Sequence, residues 1–103
     1  MERIAIKQII IDPERFVVMK EGSKVILTKT EFFILYLMMS TKGKIQSRNA
    51  ISKFAWGLES LDRPRTIDTH ISNIRRKIGR IDEKEIITVI KGVGYKLDDS
   101  LVE

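Results

Sequence analysis

Apolar positions along this chain follow first a short, strand-like pattern, then a helical one, then a strand-like one again. In the first 27 residues they come as brief, largely β-branched runs: Ile4-Ala5-Ile6, Ile9-Ile10-Ile11, Phe16 to Met19, and Lys24 to Leu27. Turn signals separate the later runs, at Asp12-Pro13-Glu14 and Glu21-Gly22. Four short strands so close in sequence predict a small antiparallel sheet.

The pattern then becomes helical. Thr28-Lys29-Thr30-Glu31 spells a capping box, in which the Thr28 hydroxyl accepts from the Glu31 amide and the Glu31 carboxylate reaches back to Thr28. The continuous apolar run from Phe32 to Met39 predicts a helix buried on nearly every side. Its paired methionines, Met38 and Met39, fit core packing better than a binding groove. Gly43 ends this segment, and Lys44-Ile45-Gln46 has room only for a bridge strand. Ser47 is placed to cap a second helix running to about Trp56, with Ala50, Ile51, Phe54 and Ala55 as its apolar face. Residues 57 to 62 read as a loop.

Pro64 suits the first turn of a third helix and Gly79 the position just beyond it. Between them Ile67, Ile71, Ile74 and Ile78 repeat at helical spacing, so a helix over 64–78 is expected. Ile86 to Ile90, the turn Lys91-Gly92-Val93-Gly94, and Tyr95 to Leu97 predict a β-hairpin. The expected fold is α+β: an N-terminal four-stranded antiparallel sheet, three helices and a C-terminal hairpin. The second and third helices form a helix-turn-helix pair with a longer connection than the tightest version.

Composition narrows the function. At 103 residues the chain is sized for a single domain, 1–103. Its hydrophobic share of 43% is that of a globular protein. The absence of cysteine excludes disulfides, thiolate metal sites, iron–sulfur clusters and a thiol nucleophile. His70 is the only histidine, which rules out a multi-histidine metal site. No nucleophile–base pair is suggested, so no catalytic residue, enzyme activity, metal or other cofactor is expected. The longest apolar run falls well short of the ~20 residues that span a bilayer, and the N-terminus has no signal-peptide core. A cytoplasmic location without a membrane partner is therefore expected.

Charge is uneven. The net charge is +5, and residues 63–96 hold nine cationic side chains against four acidic ones. A basic stretch with helical apolar periodicity suggests a polyanion-binding element, the alternative being a solvated helix face. Opposite the isoleucines the third helix carries Arg65, Thr69, Ser72, Asn73 and Arg76, all able to donate hydrogen bonds and none acidic. That composition fits a helix in a DNA major groove. Asn pairs bidentately with adenine and Arg with guanine, so Asn73 and Arg76 are the expected base readers. Thr69 can set its methyl against thymine, and Ser72 is compatible with several bases. Arg65, near the helix start, is placed to clamp a phosphate. Arg75 has two open roles, a DNA contact or pairing with a carboxylate such as Glu31 or Asp68. Lys77 and His70 share the other flank, and His70 is read as a packed ring, a phosphate contact or a pH-sensitive group. In the hairpin, Lys91 can enter a minor groove, although a plain turn explains the same residues. The glycines there permit close approach to a backbone and do not form a nucleotide-binding fingerprint.

Together these segments resemble the winged-helix effector domain of OmpR/PhoB-type bacterial response regulators. The likeness rests on Leu27-Thr28-Lys29-Thr30-Glu31-Phe32, on Trp56, on the stretch from Arg65 to Ile78, and on Lys91-Gly92-Val93-Gly94-Tyr95-Lys96-Leu97, all in order across nearly the whole chain. It implies sequence-specific promoter binding as the output of a two-component system. The members bind direct repeats as a tandem head-to-tail pair, with the recognition helix in the major groove and the wing, here 86–97, at the minor groove. It also implies that Trp56 and Tyr95 touch the DNA backbone or serve as packing anchors. The segment Gly57, Leu58, Glu59, Ser60, Leu61, Asp62 would be the loop that meets RNA polymerase. Such domains normally follow a receiver domain. Nothing in this chain resembles one, so it is expected to be either an effector domain separated from its receiver, the favoured reading, or a stand-alone protein.

Three departures from the family pattern stand out. Ser72 and Asn73 replace two basic residues found in many members, which points to readout less centred on guanine and more tolerant of A·T pairs. Val89-Ile90-Lys91 stands where many have Thr-Val-Arg, giving a wing cation that cannot bond bidentately. Arg48 stands near the start of the second helix, where an acidic residue is frequent. No large apolar dimer surface is evident, so the domain alone is expected to be monomeric. The competing reading is a winged-helix module that binds protein without specific DNA binding, and it requires an exposed apolar patch on the third helix.

Overall fold

The structure, a computed structural model, describes residues 1–57 and 66–102. The N-terminal sheet contains β1 (Ile4–Ile6), β2 (Ile9–Asp12), β3 (Val17–Lys20) and β4 (Ser23–Val25), antiparallel in the order β1-β2-β3-β4. Ile11 pairs with Val18 and Val18 with Val25, so one face of the sheet is apolar; Ile9, Ile11 and Val18 are buried. The third strand is displaced by one residue from its apolar run, and the fourth is shorter than its run. Phe16 has φ +54°, which takes it out of the strand, and its ring stacks 4.2 Å from that of Phe32. Ile26 lies beyond the last strand and is exposed. Glu21 and Gly22 both take left-handed φ angles, as a two-residue hairpin turn requires.

Helix α1 (Lys29–Thr41) begins with the expected capping box: the Glu31 amide donates to the Thr28 hydroxyl at 3.2 Å and the Thr28 amide to the Glu31 carboxylate at 2.9 Å. Seven of its apolar residues are buried, among them Met38 and Met39, so both methionines are core. Helix α2 (Arg48–Trp56) is capped by the Ser47 hydroxyl, which accepts from Ala50. Its buried face differs from the expected one. Ile51 and Ser52 are fully enclosed, whereas Phe54 is 40% exposed. The helix meets α1 through the Ile51 side, leaving Phe54 at the margin, edge-on to Phe33 at 6.5 Å.

Helix α3 (Thr66–Ile78) buries all four isoleucines of the predicted stripe. Its expected first residues, Pro64 and Arg65, lie outside the described residues. Gly79 follows at φ +76°, and its amide closes the last turn on the Arg75 carbonyl. A small hairpin that the apolar pattern does not anticipate comes next: β5 (Arg80–Ile81) and β6 (Lys84–Glu85). Asp82 and Glu83 make its turn, with φ values of +51° and +66°. Only Ile81 of this hairpin is buried, too little for a period to register.

The C-terminal hairpin pairs β7 (Ile87–Ile90) with β8 (Gly94–Leu97). Gln46 forms an isolated bridge to Tyr95, with amide-to-carbonyl bonds of 2.8 and 2.9 Å in the two directions. The wing is thereby stitched to the segment just before α2. Gly94 makes this possible. A Cβ there would sit 2.0 Å from the Gln46 carbonyl oxygen, so the close backbone approach predicted for the wing glycines is made to the chain's own backbone. A 3-10 turn (Asp99–Leu101) returns Leu101 to the core. Among the described residues no helix is long and apolar enough to cross a membrane.

Candidate nucleic-acid interface

With its isoleucines committed to the core, α3 presents one flank to the wing, one to α1 and a crown to solvent. On the wing flank, the Arg75 guanidinium donates twice to the Ile87 carbonyl, from Nε at 3.2 Å and Nη2 at 2.7 Å. It also lies 6.0 Å from the centre of the Tyr95 ring. Arg75 thus pairs with neither Glu31 nor Asp68; β7 runs past it and offers an unpaired carbonyl that a planar fork of donors satisfies. Asp68 accepts the Tyr95 hydroxyl in a short hydrogen bond and pairs with Arg48 at 2.9 Å. The Tyr95 hydroxyl, and then Arg48, hold the Asp68 carboxyl below the usual range despite its partial burial. Burial, with the bond to Asp68, pushes the Tyr95 hydroxyl up. Arg48 also caps the ring of Tyr95, 5.3 Å from its centre.

On the other flank, Lys77 bonds the Glu31 carboxylate at 2.6 Å. Glu31 is 2% exposed. Burial raises its pKa, but the bond to Lys77 and the bonds to Thr28 outweigh that and leave it lowered. One carboxylate therefore completes the cap of α1 and tethers the last turn of α3. Lys20, from the sheet, caps that turn by donating to the carbonyls of Ile78 at 2.7 Å and Arg80 at 2.8 Å. His70 is half-buried with its ring 5.4 Å from that of Trp56, and its Nδ1 is enclosed without a partner among the described residues.

The crown is different. Thr69, Ser72 and Arg76 are exposed, Asn73 is half-exposed, and the only bond among them joins Arg76 Nη2 to Asn73 Oδ1 at 3.4 Å. The one acidic residue of α3, Asp68, is drawn aside by Tyr95 and Arg48, so the crown carries no negative charge. Lys91 is exposed at the wing tip beside Gly92, which takes φ +78° in the turn closed from the Val93 amide to the Ile90 carbonyl.

The structure thus brings Thr69, Ser72, Asn73 and Arg76 together on one surface. It ties Arg75, Lys77 and Tyr95 into contacts within the chain and sets His70 against Trp56. Arg65 and the loop residues Leu58, Glu59, Ser60, Leu61 and Asp62 lie outside the described residues, while Gly57 ends α2, donating to Lys53. Two positioning residues have no local signal, Arg48 and Lys20. Their partners lie 20 and 58 to 60 residues away, beyond any periodicity. Among the described residues there is no cluster of potential ligands for a metal ion.

The profile of the family described as "Transcriptional regulatory protein, C terminal" matches residues 22–97. The regulatory protein VanRB of Enterococcus faecalis is 38% identical over 89 residues, which is 86% of this chain and 39% of that protein. The chain spans about two-fifths of the length of the curated relatives it matches. The DNA-binding domain of CpxR from E. coli superimposes with a TM-score of 0.84 at 31% identity, covering 94% of this chain and 96% of that one. The DNA-binding domain of Klebsiella pneumoniae RstA, solved in complex with the RstA box, gives 0.82 at 26% identity over 96% and 99%.

Proposed function

The chain belongs to the family of transcriptional regulatory protein C-terminal domains, of the OmpR/PhoB winged-helix type, and on that premise we propose that it binds promoter DNA as the output domain of a two-component response regulator. In this reading the crown of α3 lies in the major groove with Thr69, Ser72, Asn73 and Arg76 at the base edges, and Lys91 enters the adjacent minor groove. The observation that carries it is the acid-free crown, held at a set angle to the wing by Arg75, Asp68 and Tyr95. A rigid helix–wing unit orients both elements before DNA arrives, so little ordering remains to oppose binding. Binding by relatives such as RstA, solved on its own DNA box, supports the same reading.

The exposed positions of α3 are Thr66, Asp68, Thr69, Ser72 and Arg76, all polar, so this helix offers no apolar patch to a protein partner. The family is regulatory rather than enzymatic. Tandem association on direct repeats, contact of the 57–62 loop with RNA polymerase, and a cytoplasmic location belong to the same proposal. Selection from a random duplex library tests it. The expected product is a direct repeat with centres about 10–10.5 base pairs apart, bound more weakly as salt rises. Enrichment of no motif at all would refute specific binding. For the loop, changes at Glu59 or Asp62 should spare DNA affinity and reduce transcription; weakened DNA binding would assign the loop to DNA instead.

A further inference from the structure

A helix in a major groove and a wing in the minor groove beside it straddle one sugar–phosphate strand, because a single strand separates two adjacent grooves. Residues between crown and wing must therefore face that strand. In this fold they are Arg48, Asp68, Arg75 and Tyr95, brought together from α2, α3 and β8. The Tyr95 hydroxyl gives its proton to Asp68, and Arg75 commits Nε and Nη2 to the Ile87 carbonyl. Asp68 is an anion, and Arg48 at 2.9 Å offsets its charge. Arg48 itself is only partly committed. Its Nε donates to Asp68, and its guanidinium carbon lies 5.3 Å from the centre of the Tyr95 ring. These contacts fix the direction of the side chain and leave two Nη groups with four N–H donors. The only further acceptor beside them among the described residues is the Tyr95 oxygen, too little for four donors. The side chain is 34% exposed, and neither Nη is both enclosed and unpaired, so the open edge of the fork lies at the surface.

Resting on the DNA-binding reading above, we infer that Arg48 is a phosphate clamp supplied by α2, taking a phosphate of the strand between the two grooves on its Nη edge while Asp68 and Tyr95 hold it from behind. A planar fork matches phosphate oxygens two at a time, which a lysine at the same place would not do. Because the fork is oriented before DNA arrives, little side-chain freedom is lost on contact. A phosphate contact carries no sequence information, so Arg48 sets how helix and wing sit on the duplex and leaves the choice of bases to the crown.

The test pairs Arg48→Met with single neutral methylphosphonates placed along the site won in the library selection. Arg48→Met should weaken binding about tenfold on that site and on scrambled duplex alike, leave the selected motif unchanged, and lower the salt slope by about 1. One methylphosphonate between the two grooves should weaken the wild type about tenfold and the variant less than about twofold, because the partner of that phosphate is already gone. Arg48→Lys should keep the salt slope and recover only part of the affinity. Lost affinity with an unchanged salt slope would overturn the inference and make Arg48 a packing residue of the wing. Additive effects of the variant and every methylphosphonate would overturn it too. Should Arg48→Met fail to fold, as read by circular dichroism, the scan on the wild type still decides: no sensitive phosphate between the grooves refutes the clamp. A wild type that enriches no motif would fail the DNA-binding reading itself, a separate outcome.

Discussion

Arg75 and Arg76 are adjacent in sequence and chemically identical, yet the fold uses them in opposite ways. Arg75 lies on the wing flank of α3 with its guanidinium closed over the Ile87 carbonyl. Arg76 lies on the crown, exposed, with one long bond to Asn73. Turning about 100° around the helix changes the role from fastening the wing to presenting donors to solvent. The same division separates Lys77, tied to buried Glu31, from the exposed Lys91 of the wing. Net charge in a segment thus overstates how much of it is available to a polyanion, because part of it holds the platform together.

The largest test removes the platform. Gly94→Ala places a Cβ 2.0 Å from Gln46 O, so the bridge between wing and α2 must open. The expected cost is about 3 kcal/mol or more in chemical denaturation, with amide exchange in β8 rising most. Next comes the arginine pair. Arg75→Ala should lower unfolding stability by about 1.5–3 kcal/mol, since it deletes charge-assisted bonds and leaves a carbonyl unpaired. Arg76→Ala should stay within about 0.5 kcal/mol in the same measurement and still weaken specific DNA binding by about 1–3 kcal/mol. Equal stability losses in the two variants would erase the distinction between flank and crown.

Acid sharpens the comparison on the flanks. Glu31 and Asp68 have folded pKa values below their ordinary 4.5 and 3.8. Their contribution is complete above those ordinary values and is lost as pH falls through the lowered folded ones, because the unfolded chain binds protons first. Lys77→Met should cost about 1–2 kcal/mol at neutral pH and flatten the acid-induced fall measured by thermal unfolding from pH 6 to pH 3. An unaltered pH profile would show that Lys77 does not hold the Glu31 charge. The smallest effect concerns the hairpin preceding the wing. Glu83→Gly relieves a left-handed φ of +66° and should raise stability by about 0.5–1 kcal/mol. The corresponding wing position already has Gly92, at φ +78°.

Local chemistry made much of this molecule legible. The capping box at Thr28 and Glu31, the Ser47 cap and the isoleucine stripe of α3 depend on residues a few positions apart, and all three appear in the fold. The β5–β6 hairpin was not legible, because two-residue strands carry no period. Phe54 lies at the margin because the nine residues of α2 enclose only Ile51 and Ser52, and which side of so short a helix is covered depends on its neighbours.

The crown of α3 was readable from the sequence for the same reason as its stripe: an α-helix places residues three and four apart on one side whatever surrounds it. The fate of the flanking charges was not. Arg75 found a carbonyl 12 residues away, Lys77 a carboxylate 46 away and Lys20 two carbonyls 58 and 60 away. Pairings at that separation exist only once the sheet, helices and wing have packed, because packing alone brings those groups within hydrogen-bond reach. The chain's own code therefore specified its longer elements, the isoleucine face of α3 and the donors of the crown, while tertiary packing chose the enclosed side of α2, which charges became structure and which remained exposed.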